Sequence, residues 1–362
     1  DGRKVIMIGS NNYLGLTNNP YVKEQSIKAI EKYGTSCTGS RFLNGTIELH
    51  EELERRLAKF MQKEACIVFS TGFQANLGAI SALVGKDDYV VIDRANHASI
   101  IDACRLSFGE TVKYKHNDME DLERIVKKIK EEKPDAGILI VSDGVFSMEG
   151  DLVNLARLIE IKEKYKTRIF IDDAHGIGVL GRNGRGVCEH FNLLDKVDLI
   201  MGTFSKSFAS LGGFVAGEKA VIEYIKHFAR SLIFSASMPP AQIAAVLASL
   251  DIIEKEPQRR EKLKYIIRRI TKEYLNLGLS VPQNESAIIP IILGNDQLVF
   301  TFWKLLLENG VYVNPIISPA VTPDRALLRT SYMATHTDEH IDKVVNAFKK
   351  VLSQIPVLKK NI

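Results

Sequence analysis

The sequence lacks the marks by which several protein classes are recognised. No apolar run approaches the roughly 20 residues that a membrane-spanning helix needs, and the opening Asp1-Gly2-Arg3 shows no secretory pattern. The expectation is a protein with no transmembrane segment and a cytoplasmic location. Cysteine is sparse, and Cys37, Cys66, Cys104 and Cys188 form no CxxC or Cys/His metal spacing. Reduced structural thiols are therefore expected, with no disulfide and no metal site. Lys and Arg number 48 against 44 Asp and Glu, but they are scattered along the chain and form no basic block, so nucleic-acid binding is not indicated. Internal repeats and low-complexity stretches are missing too. What remains is ordinary globular composition, 45% hydrophobic and 25% charged over 362 residues, enough for a large core and a smaller attached domain.

Short apolar runs alternate with amphipathic helical stretches from about residue 66 to 217, the pattern of a mostly parallel sheet covered on both faces. Strands are predicted at 66–69, 89–92, 137–141, 168–171, 197–201 and 213–216, with surface helices at 120–132 and 155–165. From Pro239 the pattern changes to helices at 240–254 and 258–277. An α+β tail follows, with strands at 287–293, 311–315 and 327–333, a helix at 296–308 and a helix at 338–352 that Thr337 caps. The expected division is an N-terminal segment with a polar loop (1–38), a large α/β domain (39–238), and a helical connection with a smaller α+β domain (239–362). The β-rich run 4–8 leads directly into the polar loop, so a helix is expected upstream of it.

In an open α/β sheet, ligands bind beyond the carboxyl ends of the strands, so polar residues just after strands come first. After 66–69 stands Ser70-Thr71-Gly72-Phe73, a glycine-containing turn that opens a helix. Its free N–H groups suit a phosphate, although such a turn also serves as a plain connection. After 89–92 comes Asp93-Arg94-Ala95-Asn96-His97, where the histidine reads as a base, a metal ligand, a flat surface for an aromatic ligand, or part of a helix-capping loop. After 168–171 comes Asp172-Asp173-Ala174-His175. A carboxylate there can keep a pyridine nitrogen protonated while the imidazole reaches the ring oxygen; the two acids could equally bind Mg²⁺ or cap a helix. After 197–201, Lys206 lies among hydroxyls in Gly202-Thr203-Phe204-Ser205-Lys206-Ser207-Phe208, where an amine can form an imine. The conjunction decides: phosphate cradle, stacking His, ring-nitrogen Asp and Schiff-base Lys, in order along one sheet, describe pyridoxal 5′-phosphate.

With Ser10-Asn11-Asn12-Tyr13-Leu14-Gly15-Leu16, His97-Ala98-Ser99, and the run Gly144-Val145-Phe146-Ser147-Met148-Glu149-Gly150-Asp151 added, the chain resembles the α-oxoamine synthases nearly end to end. These are fold-type-I pyridoxal phosphate enzymes that join an amino acid to an acyl-CoA. The resemblance implies that Lys206 bonds the cofactor, that Asp172 partners its ring nitrogen, that His175 reaches its ring oxygen and that His97 stacks on it. It implies phosphate contacts from the amides of Gly72 and Phe73 and the hydroxyl of Thr203, and a cofactor contact from Ser147. Arg329, in Leu327-Leu328-Arg329-Thr330-Ser331, resembles the arginine that grips the amino acid carboxylate, and Asn11, Tyr13 and Ser40 resemble substrate-side residues.

Within the family, 39–46, 207–214, 235–238 and 333–337 look most like the bacterial branch that condenses L-serine with palmitoyl-CoA. The glycine-acetylating branch and the biotin-pathway branch that uses alanine are its competitors, and a non-catalytic paralogous subunit is the reading from another class. The resemblance also implies a homodimer with shared active sites. A peripheral membrane contact is compatible with a lipid product.

Overall fold

A computed structural model describes residues 2–282 and 285–355. Two compact units emerge. The larger runs from Leu16 to Phe146 and from Leu152 to Glu256; the smaller takes the chain up to Gly15, Ser147–Asp151, and the chain from Pro257 onward.

The larger unit is built on a seven-stranded sheet in the order Ala65–Phe69, Gly213–Gly217, Leu199–Thr203, Arg168–Asp172, Ile138–Asp143, Tyr89–Asp93, Glu110–Tyr114. Only Gly213–Gly217 runs antiparallel to its neighbours. Inner strands such as Tyr89–Asp93 and Ile138–Asp143 are buried along their whole length, which is why they read as continuous apolar runs. Phe69, Val90, Ile92, Val141, Phe170 and Met201 build the core with Ala75, Ala79 and Ile80 of helix Gly72–Leu83. The edge strand Glu110–Tyr114 is not among the predicted ones. Of its residues only Tyr114 is buried, so it carries no apolar run to detect.

The expected boundary at 239 falls inside this unit. Helix Pro240–Lys255 buries ten of its residues and packs with helix Pro20–Tyr33, where Tyr21 Oη donates to Asp251 Oδ2 at 2.9 Å. An almost wholly apolar helix of this kind needs cover on several sides, and the larger unit supplies it. The division comes at Pro257 instead, and residues 1–15 separate from the rest of the expected N-terminal segment.

In the smaller unit, Leu327–Ser331 is the middle strand of an antiparallel sheet with Asn314–Ile316 and Ile288–Ile292. The predicted strand at 311–315 is two short strands, because the chain changes partners. Val311–Tyr312 pairs in parallel with Ile6–Met7, and Asn314–Ile316 then joins Leu327–Ser331. Helices Pro257–Asn276, Asp296–Glu308 and Asp338–Gln354 complete the unit. Thr337 caps the last, its hydroxyl accepting from His340 N at 3.2 Å.

Candidate functional site

In the larger unit the predicted residues gather past the strand ends. Helix Gly72–Leu83 begins there with Thr71 as its cap, the hydroxyl accepting from Gln74 N at 3.0 Å. The amides of Gly72 and Phe73 belong to the first turn, which has no intrahelical acceptors for them. A Cβ on Gly72 would come within 2.7 Å of Thr203 Oγ1; glycine is what lets the helix start lie against that hydroxyl. Thr203, buried at the end of Leu199–Thr203, bonds Gly212 O and Ser205 Oγ. Lys206 is half-buried three residues on.

Asp172, 4% exposed at the end of Arg168–Asp172, accepts from Ala174 N at 3.0 Å through Oδ1 and from Asn76 Nδ2 at 2.7 Å through Oδ2. His175 follows in the turn that Gly176 N closes onto Asp173 O at 3.2 Å. His97 caps helix Ala98–Leu106; its N–H donates to Asp143 Oδ2 at 2.9 Å, and its Nδ1 lies 2.8 Å from Ser99 Oγ. The His97 ring stays open to solvent.

The electrostatics tie these residues together. Burial disfavours protonation of His97; the Asp172 carboxylate works against that shift and the Lys206 ammonium reinforces it. Burial pushes the Asp143 carboxyl well up, aided by the charge on Asp172 and opposed by the bond from His97 N and by Lys206. Burial likewise raises Asp173 to about 8. Three carboxyl groups thus share the site, and two of them favour the neutral acid.

Ser40 sits in an antiparallel bridge with Ala236, whose carbonyl accepts from the hydroxyl of Ser70 just before the Gly72 helix start. The neighbouring Arg41 is committed elsewhere. It forms a bidentate pair with Glu54 at 2.7 and 3.1 Å and reaches Val68 O, which pins the 39–46 loop to the sheet.

Arg329, Asn11, Tyr13 and Ser147 all fall in the smaller unit and three of them touch one guanidinium. Arg329 is 4% exposed; Nε donates to Ser147 O at 2.6 Å and Nη2 to Asn11 Oδ1 at 3.1 Å. Tyr13 Oη donates to the same Asn11 oxygen at 3.1 Å. Burial pushes the Tyr13 phenol up to about 12, against the pull of Arg329. It is the carbonyl of Ser147 that the guanidinium engages. Among the described residues the acceptors on Arg329 are neutral, so this buried cation is held without a carboxylate, an arrangement that suits an anionic ligand.

The donor set of the larger unit fits pyridoxal phosphate. The helix start, open only because Gly72 has no Cβ, suits the phosphate; the buried Asp172 keeps lone pairs for a ring N–H; and Lys206 supplies the amine. Asn76, Ser99 and Asp143 lie within or beside runs picked out from the sequence, but no role was read for any of them. Asn76 stands one turn after Gly72 and Ser99 two residues after His97, spacings that carry meaning only once the strands are placed.

The chain belongs to the family of class I and II aminotransferases, whose model matches residues 3–348, and its fold is that of the fold-type-I pyridoxal phosphate transferases. It is 50% identical over 357 residues to a serine palmitoyltransferase of Sphingobacterium spiritivorum, covering 99% of this chain and 89% of the relative. It is 42% identical over 358 residues to an 8-amino-7-oxononanoate synthase of Thermoanaerobacter pseudethanolicus, covering 99% and 90%. A solved serine palmitoyltransferase (SPT) holding pyridoxal phosphate as the internal aldimine superposes with a TM-score of 0.95 at 36% identity, covering 98% of this chain and 88% of that one. Pyridoxal phosphate is the cofactor.

Proposed function

We propose that the protein condenses L-serine with a long-chain acyl-CoA, palmitoyl-CoA in the first instance, releasing CoA and CO₂ and giving 3-ketodihydrosphingosine, the first step of sphingolipid synthesis. The carrying observation is the likeness to serine palmitoyltransferase, which runs along nearly the whole chain and exceeds that to the oxononanoate synthase. Bound pyridoxal phosphate supplies an electron sink for the negative charge that develops at the amino acid Cα.

The protein's own groups do the rest. Gly72, Phe73 and Thr203 hold the phosphate, and Asp172 holds a proton on the ring nitrogen. His175 meets the ring oxygen, and His97 lays its open face on the ring. Lys206 Nζ would supply the amine that holds the cofactor and, as a free amine, would take and return the proton at the amino acid Cα. Arg329 takes the serine carboxylate with its planar fork, held in place by Ser147 O and Asn11. Ser40 lines the substrate side of its own unit.

Two readings extend this proposal. The protein acts as a homodimer with shared active sites, supported by the exposed apolar side chains of Phe42, Phe228 and Phe234 in the larger unit. It works in the cytoplasm with at most a peripheral membrane contact; among the described residues no helix is long and apolar enough to cross a membrane. The test of the function is to screen glycine, alanine and serine for a change in cofactor absorbance, then to follow CoA release with acyl-CoAs of increasing length. Serine with a long chain is the expected best pair. Preference for alanine or for a short acyl group would replace the proposal with one of the competing branches.

A further inference from the structure

Outside the residues with assigned roles, one buried chain of hydrogen bonds links two of them. Asn76, 1% exposed, spends both protons of its amide nitrogen: one on Asp172 Oδ2 at 2.7 Å, the other on Ser99 Oγ at 2.8 Å. Its own Oδ1 is buried with no hydrogen-bond partner. Turning the amide over would set that oxygen against the Asp172 carboxylate, so the acceptor charge of Asp172 dictates the orientation and leaves Oδ1 unsatisfied. A buried acceptor of this kind costs about 1–3 kcal/mol, a cost that an apolar side chain of similar size would avoid.

The direction of the next bond follows. Ser99 is also 1% exposed, so water does not take its proton. Its oxygen already accepts from Asn76, and the remaining near neighbour is His97 Nδ1 at 2.8 Å. The Ser99 main-chain N–H points at the same nitrogen from 3.3 Å. A proton on Nδ1 would face that N–H donor, whereas a bare Nδ1 accepts from both Ser99 groups. The backbone of His97 is fixed independently, by Asp143 Oδ2 on its N–H and by Asn96 Nδ2 on Val141 O at 3.0 Å.

We propose that Asn76 and Ser99 are positioning residues that relay the charge of Asp172 to His97 and fix its imidazole as the neutral Nε2–H tautomer. The ring then lies over the cofactor as an uncharged surface whose free edge carries a hydrogen-bond donor and not a base. Of the titratable groups around it, the Asp172 carboxylate favours a proton on the ring, the Lys206 ammonium opposes one, and Asp143 meets the main-chain N–H of His97. The inference rests on the assignment of His97 and Asp172 to the cofactor site and is independent of which amino acid or acyl-CoA is used.

The test uses holoenzyme with ¹⁵N-labelled histidine, His97 being assigned by the signal lost in His97→Gln. Wild type is expected to show Nδ1 as an unprotonated and Nε2 as a protonated ring nitrogen, without titration across the working pH range. In Ser99→Ala the tautomer preference should fall by roughly two- to tenfold, the worth of one hydrogen bond, and the protonation midpoint of His97 should rise; Ser99→Thr should restore both. Asn76→Leu should loosen the tautomer in the same way while the bound cofactor still absorbs. Nδ1–H in wild type would overturn the proposal, as would a tautomer unmoved in Ser99→Ala. Because no substrate is present, these outcomes stand whether or not serine proves to be the substrate.

Discussion

The two units solve the problem of holding a charged group by opposite means. In the larger one the groups crowd together: Asp143, Asp172 and Asp173 lie at or just past adjacent strand ends, with His97 and Lys206 acting on them. The charges compensate one another, and two of the acids favour the neutral form. In the smaller one Arg329 is the cation of its group, buried against a carbonyl, an amide oxygen and the Tyr13 phenol, all of them neutral. A charge balance that is internal is what the proposed cofactor site needs, since the group it would hold brings its own charges. A buried cation with neutral partners suits an anion, in keeping with the substrate-carboxylate role proposed for Arg329.

The largest effect should come from the crowded site. Lys206→Ala removes the only amine assigned to proton transfer and should lower condensation by roughly 10²–10⁴-fold or more. Release of CoA measures it, and residual activity near wild type would assign the proton to another group. Asp173→Asn probes, through stability, the burial of an acid in the crowded site, to which the charge of Asp172 adds. Asp173 titrates near 8 in the fold against an ordinary value of 3.8, so its contribution is fully present below about pH 4 and is lost as pH rises towards 8. The asparagine variant should remove that loss, on the order of a few kcal/mol, and flatten the pH dependence of urea unfolding between pH 5 and 8. An unchanged slope would mean that Asp173 is not held as the neutral acid by its burial beside Asp172. The smallest effect belongs to the group around Arg329. Tyr13→Phe deletes the hydroxyl's bond to Asn11 and its interaction with the Arg329 guanidinium, together worth about 1–2 kcal/mol, so the KM for serine should rise roughly two- to twentyfold with kcat nearly kept. A matching loss of cofactor binding would show the two regions to be less separable than argued here.

The same contrast explains what could be read from the sequence. Every strand that positions a residue of the crowded site is a continuous apolar run, and the polar residue stands next to it in the chain, as Asp172 follows 168–171. The strand-end rule therefore pointed to His97, Asp172, His175 and Lys206 as candidates without a structure. Arg329 is different. Its partners come from residues 318 and 182 positions away, brought in by sheet register, so only family resemblance pointed to it. Asn76 and Ser99 lie on helices whose spacing looks like ordinary packing, and the polar edge strand Glu110–Tyr114 gave no signal at all. The boundary at 239 was misplaced because the periodicity of helix Pro240–Lys255 says that it is buried without saying against what.

The measurement that bears most directly on this division of labour is a titration, followed by cofactor absorbance, of L-serine and of serinol, which replaces the carboxylate by a neutral hydroxymethyl group. Wild type should favour serine strongly. In Arg329→Lys the planar two-point grip is lost, and serine affinity should fall about ten- to a hundredfold, the worth of a charge-assisted hydrogen bond, while serinol binding and cofactor absorbance stay as they were. Equal losses for both ligands, or a preference for serine that survives the substitution, would contradict the claim that Arg329 is the carboxylate's partner.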